Sequence, residues 1–356
     1  GYAWWYVDGL SDCGTRAVSV IGFIGSVFSP WYRWSGRRCP QDNVCINVAT
    51  YGPGGRFTMT DRGQAALRQT AARLQVGPSM MRWTDGALVI DFDEISSPPL
   101  VSRMQGQIRL VPEALTEVEL PLTPDGAHIW RPFAPVARIE VDIDRPGWQW
   151  QGDGYFDANF GTRALEEDFS YWTWGRYPTA AGATCFYDAT RRDGSELAAG
   201  FRFGSDGSAQ TISLPPKAPL RRSLWAVKRE TRADPGATAR QSLAMLDAPF
   251  YTRSAVTTQL DGEVTTGVHE ALDLRRGVPD DVYLVVRGQH NPERDYQKQY
   301  YEEVWNTFQE TQILDRALKI ITSRLAEEQL EQASGLIDEL RDATKSIDVE
   351  ALLGAE

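Results

Sequence analysis

The sequence predicts a mainly β protein, built of barrel- or sandwich-like units and followed by a helical tail. Three observations carry that expectation. Glycine and proline punctuate residues 1–290 into short runs. Several of those runs alternate apolar with polar residues, or are rich in β-branched and aromatic ones. After His290 both habits stop, and apolar residues recur at helical spacing instead.

Taken in order, the first strong element is "AVSVIGFIGSVF" at 17–28, which is too short to span a bilayer. Its two glycines and many β-branched residues fit a buried strand. "DRGQAALRQTAARLQ" (61–75) is the best helix candidate in the body. "GALVIDFDEI" (86–95) follows the turn signal Thr84-Asp85-Gly86 and nearly alternates, while "ARIEVDID" (137–144) alternates strictly. Arg145-Pro146 then marks a seam, dividing the body into residues 1–145 and 146–292. "ELAAGFRFGSDGSAQTISL" (196–214) reads as two strands around Ser205-Asp206-Gly207. Many short strands with regular turns argue for barrels or sandwiches.

Residues 293–356 form a third unit. They contain no proline, and 15 acidic against 7 basic residues give them a net −8 of the chain's −11. Ile313, Leu314, Ala317, Leu318, Ile321 and Leu325 share one helical face, as do Leu330, Ala333, Leu336, Ile337 and Leu340. Ser346 caps a short third helix that ends near Gly354. The expected structure is an acidic helical hairpin that packs on the body or mediates self-association, since interfacial membrane helices carry Lys and Arg instead.

Composition excludes several functions. The body is near neutral, so neither part has the basic footprint of a nucleic-acid binder. Cys13, Cys39, Cys45 and Cys185 show no CxxC spacing, and His128, His269 and His290 are too few for the usual zinc site. "YGPGGRF" (51–57) runs into "TMT" and not into Gly-Lys-Ser/Thr, so it is a turn and not a nucleotide loop. No G-x-S-x-G elbow occurs. With no signal peptide opening the chain, reduced cytoplasmic thiols are expected.

What remains is a set of acids embedded among aromatics. Tryptophans cluster as Trp4-Trp5, Trp31 and Trp34, Trp148 and Trp150, and Trp172 and Trp174, a density that suits an apolar pocket or a β core. Asp8 sits in "WWYVDG", Asp157 in "GYFDANFG" and Asp188 in "CFYDATRRDG". Such an aspartate can simply cap a turn. Held against aromatic walls, its ionised form is disfavoured and it becomes a proton donor near neutrality. Two chemistries use such a group: glycoside hydrolysis, with paired carboxylates, and alkene protonation, with aromatic faces stabilising the cation. A non-catalytic carrier of a long hydrophobic ligand would keep the aromatic groove without needing the acid. The glycines of "GYFDANFG" are expected to let the strand bend so that Asp157 faces inward.

"GYAWWYVDGLSD", "IGFIGSVFSPWY", "NVCINVATYG", "FTMTDRG", "VARIEVDIDRPGWQWQGDGYFDANFG", "FYDATRRDGS" and "DAPFYTRSAV" together resemble the carotenoid 1,2-hydratases, also called hydroxyneurosporene synthases. The resemblance runs from residue 1 to about Leu274. It implies two lipocalin-like β domains and cofactor-independent addition of water to the terminal 1,2 double bond of acyclic carotenes such as neurosporene and lycopene. It also implies carotenoid synthesis in phototrophic bacteria and peripheral association with the membrane that holds the substrate. On this resemblance Asp188 of "FYDAT" is the proton donor; Asp157 is the second catalytic candidate, as water-orienting base or as the partner that holds up the donor's pKa, and Tyr187 is the third. Trp5, Tyr155, Phe160, Trp172, Trp174 and Phe186 are the expected wall. Some relatives carry His and Trp where this chain has Ala158 and Phe160, so a histidine-assisted mechanism does not carry over. After "VHEALDL" (268–274) the resemblance fades, and the tail is foreign to it.

Overall fold

A computed structural model describes residues 1–276 except Phe28, Pro30, Trp31, Trp34, 97–100 and Pro146. The helices expected in 293–356 lie outside the described residues, as do Trp31 and Trp34.

The first sheet comprises β1 (Tyr2–Ser11), β2 (Ala17–Ile24), β3 (Val44–Tyr51), β4 (Phe57–Thr58), β5 (Leu67–Thr70), β6 (Arg73–Val76), β7 (Ser79–Thr84), β8 (Ala87–Ile95), β9 (Arg103–Pro112), β10 (Leu120–Pro121), β11 (His128–Arg145) and β12 (Trp148–Gly161). Its strand order is β4-β3-β2-β1-β12-β11-β9-β8-β7-β6-β5, with β10 paired to β11. Chain continues through β13 (Phe169–Thr179), β14 (Gly182–Arg191), β15 (Glu196–Gly204), β16 (Ala209–Thr211), β17 (Lys217–Leu220), β18 (Arg229–Arg232), β19 (Arg240–Asp247), β20 (Tyr251–Leu260) and β21 (Glu263–Asp273). The second sheet has the order β16-β15-β14-β13-β21-β20-β19, and β17 and β18 pair separately. The mainly β expectation is borne out, and the strands read at 17–28, 86–95, 137–144 and 196–214 are all present.

The first sheet curls on itself. Val18 and Val20 of β2 share a core with Leu74, Met81, Leu88 and Ile90, although β2 and β6 lie towards opposite ends of the hydrogen-bonding order. Gly22 lets the two ends meet, because a Cβ there would sit 2.6 Å from the Leu74 side chain and 2.9 Å from the Met81 sulfur.

One expectation is corrected. Residues 61–75 form no α-helix: Gln64–Ala66 is a single 3₁₀ turn, and β5 and β6 follow as a hairpin. Leu74 and Val76 are buried at strand spacing, and their period-2 contacts with the curled sheet override the helix-forming composition. Strand β11 ends at Arg145 and β12 begins at Trp148, and the two pair with each other inside the first sheet, which therefore runs on across the expected seam. Sheet membership changes later, between Gly161 and Phe169, where only the four-residue helix Leu165–Asp168 intervenes.

Strands β1 and β12, at the middle of the first sheet, are buried on both faces. Val7 and Phe156 point into the curl, while Tyr6 and Tyr155 belong to a second core shared with Trp172, Trp174 and Tyr187 of the other sheet. Alternation along a strand thus hands neighbouring residues to different cores. Two buried arginines of the second sheet tie the layers together. Arg176 of β13 is ion-paired with Asp8 of β1, and Arg253 of β20 donates to Ser19 on β2 and Tyr51 on β3 at 2.6 and 3.1 Å. No helix among the described residues is long and apolar enough to cross a membrane.

Candidate active site

Between the two sheets, opposed rows of side chains enclose the site. On the first sheet, Tyr6 of β1 lies directly across from Asp157 of β12. On the second, Tyr187 of β14 faces Trp174 of β13, which faces Glu270 of β21, which faces Arg253 of β20. The rings meet across the gap: Tyr6 and Trp174 edge to face with centroids 5.7 Å apart, and Tyr155 and Trp174 at 5.1 Å and Trp130 and Tyr187 at 5.7 Å in tilted arrangements. This leaves an inner cavity of about 40 Å³, lined by Trp4, Tyr6, Trp130, Asp157, Asn159, Trp172, Trp174, Tyr187 and Glu270. A second cavity of about 60 Å³ shares Trp4, Tyr6, Trp172 and Glu270 with it and carries the apolar lining on through Ile21, Phe23, Leu165, Phe250 and Leu272.

Asp157 is the acid of the inner cavity. Its Oδ2 accepts hydrogen bonds from Trp130 Nε1 and from the Tyr155 hydroxyl, both at 2.8 Å. Its Oδ1 is buried and has no hydrogen-bond partner, and the same is true of Nε1 of Trp174. Burial pushes the Asp157 carboxyl up to about 8; the two hydrogen bonds pull the other way, and the negative charges of Glu270 and Asp8 add to the rise. A carboxyl in that state is protonated at neutral pH and can donate.

The other two aspartates are placed differently. Asp8 is fully buried but held by Arg176, whose Nε donates to Oδ1 at 2.9 Å, and by the Tyr6 hydroxyl on Oδ2 at 2.9 Å. Asp188, expected as the donor, lies on the far face of β14. Cys185, Tyr187 and Ala189 point into the central core, whereas Phe186 packs with Tyr177 and Leu220 on the opposite side. Asp188 follows Phe186 in that alternation and is ion-paired there with Arg232 of β18, whose Nε donates to Oδ2 at 3.0 Å. That places the Asp188 carboxylate against a guanidinium on the outer side of its sheet, away from the aromatic cavity.

Of the expected wall, Tyr155, Trp172 and Trp174 come together around Asp157, and Tyr187 joins them. Trp5 packs inside the curl of the first sheet, edge-on to Phe156 at 5.9 Å. Phe160 shares the strand face of Phe156, not that of Asp157. Phe186 is likewise on the outer side of its sheet. Trp4, Tyr6, Trp130, Asn159 and Glu270 were not among the expected site residues. For Trp4, Tyr6 and Asn159 the signal was available, since each keeps strand parity with Asp157 or its cross-strand partner; for Trp130 and Glu270 there was none.

The glycines that flank Asp157 do not bend the strand. Neither Gly154 nor Gly161 has a positive φ. Gly161 makes room for the next layer: a Cβ there would stand 2.6 Å from the Tyr2 ring and 2.7 Å from His128 Nδ1. Those two groups are hydrogen-bonded to each other at 2.8 Å, and His128 Nε2 continues to Asp168 at 2.7 Å. Tyr2 in turn stacks on Trp4 with centroids 4.8 Å apart, so this network backs one wall of the cavity.

The chain matches the family described as carotenoid hydratase CrtC over residues 20–286. It is 64% identical over 257 residues to the acyclic carotenoid 1,2-hydratase of Cereibacter sphaeroides, covering 72% of this chain and 92% of that protein. It is 57% identical over 258 residues to the protein of the same name from Rhodobacter capsulatus, with the same two coverages of 72% and 92%. A solved structure from Nitrosomonas europaea, described as AttH, matches with a TM-score of 0.52 at 15% identity, covering 76% of this chain and 92% of that one. That last likeness bears on the fold alone.

Proposed function

Because the chain belongs to the carotenoid hydratase family, and so to the hydro-lyases, we propose that it adds water across the terminal 1,2 double bond of an acyclic carotenoid with Asp157 as the proton donor. The observation that carries this reading is the setting of Asp157: buried in an aromatic cavity, hydrogen-bonded only to the neutral donors Trp130 and Tyr155, and with Oδ1 unpartnered, a setting that pushes its carboxyl up to about 8.

Protonation of the trisubstituted alkene at C2 places the cation at C1, where it is tertiary. The faces of Trp4, Tyr6, Trp172, Trp174 and Tyr187 surround that position with negative π density. Their burial keeps bulk water away from the cation, so that one bound water does the capture. A 40 Å³ cavity has room for such a water beside polar atoms that have bonds to give, Asp157 Oδ1 and Trp174 Nε1. The outer cavity, mostly apolar, is where the adjoining isoprenoid units would lie. No cofactor enters this scheme; side chains and water supply every proton. Contact with the membrane that holds the carotenoid belongs to the same reading. Leu224 and Trp225 are exposed at the tip between β17 and β18, beside Arg221 and Arg222, a pattern suited to an anionic headgroup layer.

Incubation of the purified protein with one acyclic carotene, followed by chromatography, tests the proposal. A 1-hydroxy product formed without added metal or nucleotide supports it. Carotene bound and recovered unchanged would leave only a carrier.

A further inference from the structure

The hydration scheme gives no task to the second carboxylate of the cavity, Glu270. It sits in the middle of the row on the second sheet, across from Trp174 on one side and Arg253 on the other. It lines the inner and the outer cavity alike. Arg253 Nε donates to Glu270 Oε1 at 2.6 Å, and the far end of that guanidinium is fixed to Ser19 and Tyr51 of the first sheet. The arginine side chain is 3% exposed and the glutamate side chain 15%, so the accessible side of this ion pair is the carboxylate. The geometry is that of a braced anion presented to the space where the cation forms.

We infer that Glu270 holds the water that captures the C1 cation and takes the proton this water must lose. The inference rests on the hydration reading above. As the alkene π pair forms the new C2–H bond, the proton leaves Asp157, which becomes a carboxylate. A lone pair of the water then forms the C1–O bond. The electron pair of one O–H bond stays on oxygen while Glu270 takes that proton, and a neutral tertiary alcohol results. Asp157 and Glu270 have now exchanged protonation states. Return of one proton from Glu270 to Asp157 within the shared cavity closes the cycle with no co-reactant. Burial disfavours the Asp157 anion, which draws a proton back to that carboxyl.

Glu270→Gln in D₂O, with an acyclic carotene as substrate, separates the two steps. Deuterium at C2 of the recovered alkene reports protonation and return, and the alcohol reports capture. Alcohol formation is expected to fall by about 10²–10⁴, the usual contribution of a general base. Deuterium should still enter recovered substrate at the wild-type rate or faster. Alcohol formation within threefold of wild type would overturn the inference, and so would equal loss of exchange and alcohol, which is what a structural role gives. Should the glutamine variant not fold, Glu270→Asp must show the same split in smaller degree. Asp157→Asn, by contrast, is expected to lose exchange and alcohol together; exchange surviving there would overturn the donor assignment and leave the role of Glu270 standing.

Discussion

Trp130 Nε1 donates to Asp157 Oδ2 at 2.8 Å from the neighbouring strand, which leaves Oδ1 buried and without a partner. The indole fixes which oxygen is committed and which faces the work. Trp130 itself is 1% exposed, so the bond is made away from solvent and orients the carboxyl rigidly. An indole N–H can stabilise a carboxylate, but it brings no charge, and desolvation still dominates the Asp157 carboxyl.

The pH dependence follows from that balance. Burial holds Asp157 at about 8, against about 3.9 in an unfolded chain. Between these values the folded protein keeps a proton that the unfolded chain releases, so this group's contribution to stability falls as pH rises and is lost above about 8. Asp157→Asn cannot ionise and removes the slope. In urea titrations at pH 5 and pH 8, the variant should gain on wild type at the higher pH by on the order of 1–3 kcal/mol. The proposed donor role makes activity depend on the protonated form, so kcat/KM should fall about tenfold per pH unit above pH 8.

Tyr155→Phe offers a finer test of the same carboxyl. The tyrosine hydroxyl favours the Asp157 anion through its hydrogen bond at 2.8 Å. Without it the carboxyl holds its proton more tightly and is a weaker acid. The alkaline limb of the pH–rate profile should move upward while kcat below that limb drops by about tenfold. A downward shift of the limb would contradict the assignment.

Cation stabilisation by the rings predicts a particular division of kinetic effects. Trp174→Leu removes a face from the cavity but retains apolar bulk. The loss should appear mainly in kcat, by about one order of magnitude for a desolvated cation–π contact of roughly 1–2 kcal/mol, with little change in KM. A rise in KM with unchanged kcat would mean that Trp174 only binds the polyene.

How much of this was legible beforehand depended on the range of the interaction. Strand spacing and turn residues act over a few positions, so β2, β8, β11 and the β15–β16 hairpin could be read directly. The aromatic setting of Asp8, Asp157 and Asp188 was legible for the same reason. Which of them meets an arginine was not. Arg176 is 168 residues from Asp8, and Arg232 is 44 residues from Asp188. Asp188 also shows how one step of strand parity decides a role, since Tyr187 faces the cavity and its neighbour faces the outside of the sheet. Glu270 lies in "GVHEALD", where no Phe, Tyr or Trp is adjacent; its tryptophan neighbour arrives from another strand. The helix read at 61–75 failed because composition favoured it while the curl of the sheet rewarded alternation.

The Asp188–Arg232 ion pair is assigned to stability. Both side chains are at most one-tenth exposed, at 10% and 8%. Arg232→Met leaves a buried carboxylate unpaired and should cost about 3–5 kcal/mol in a denaturation experiment. Adding Asp188→Asn to it should recover most of that loss, with turnover per folded molecule unchanged.

Single-turnover hydration of one acyclic carotene by Asp157→Asn and by Asp188→Asn, side by side at pH 7, addresses the proton donor directly. Asp157→Asn should form 1-hydroxy product at least 10² times more slowly than wild type, and Asp188→Asn should stay within about threefold. Full activity in Asp157→Asn together with silence in a folded Asp188→Asn would contradict the assignment of the donor.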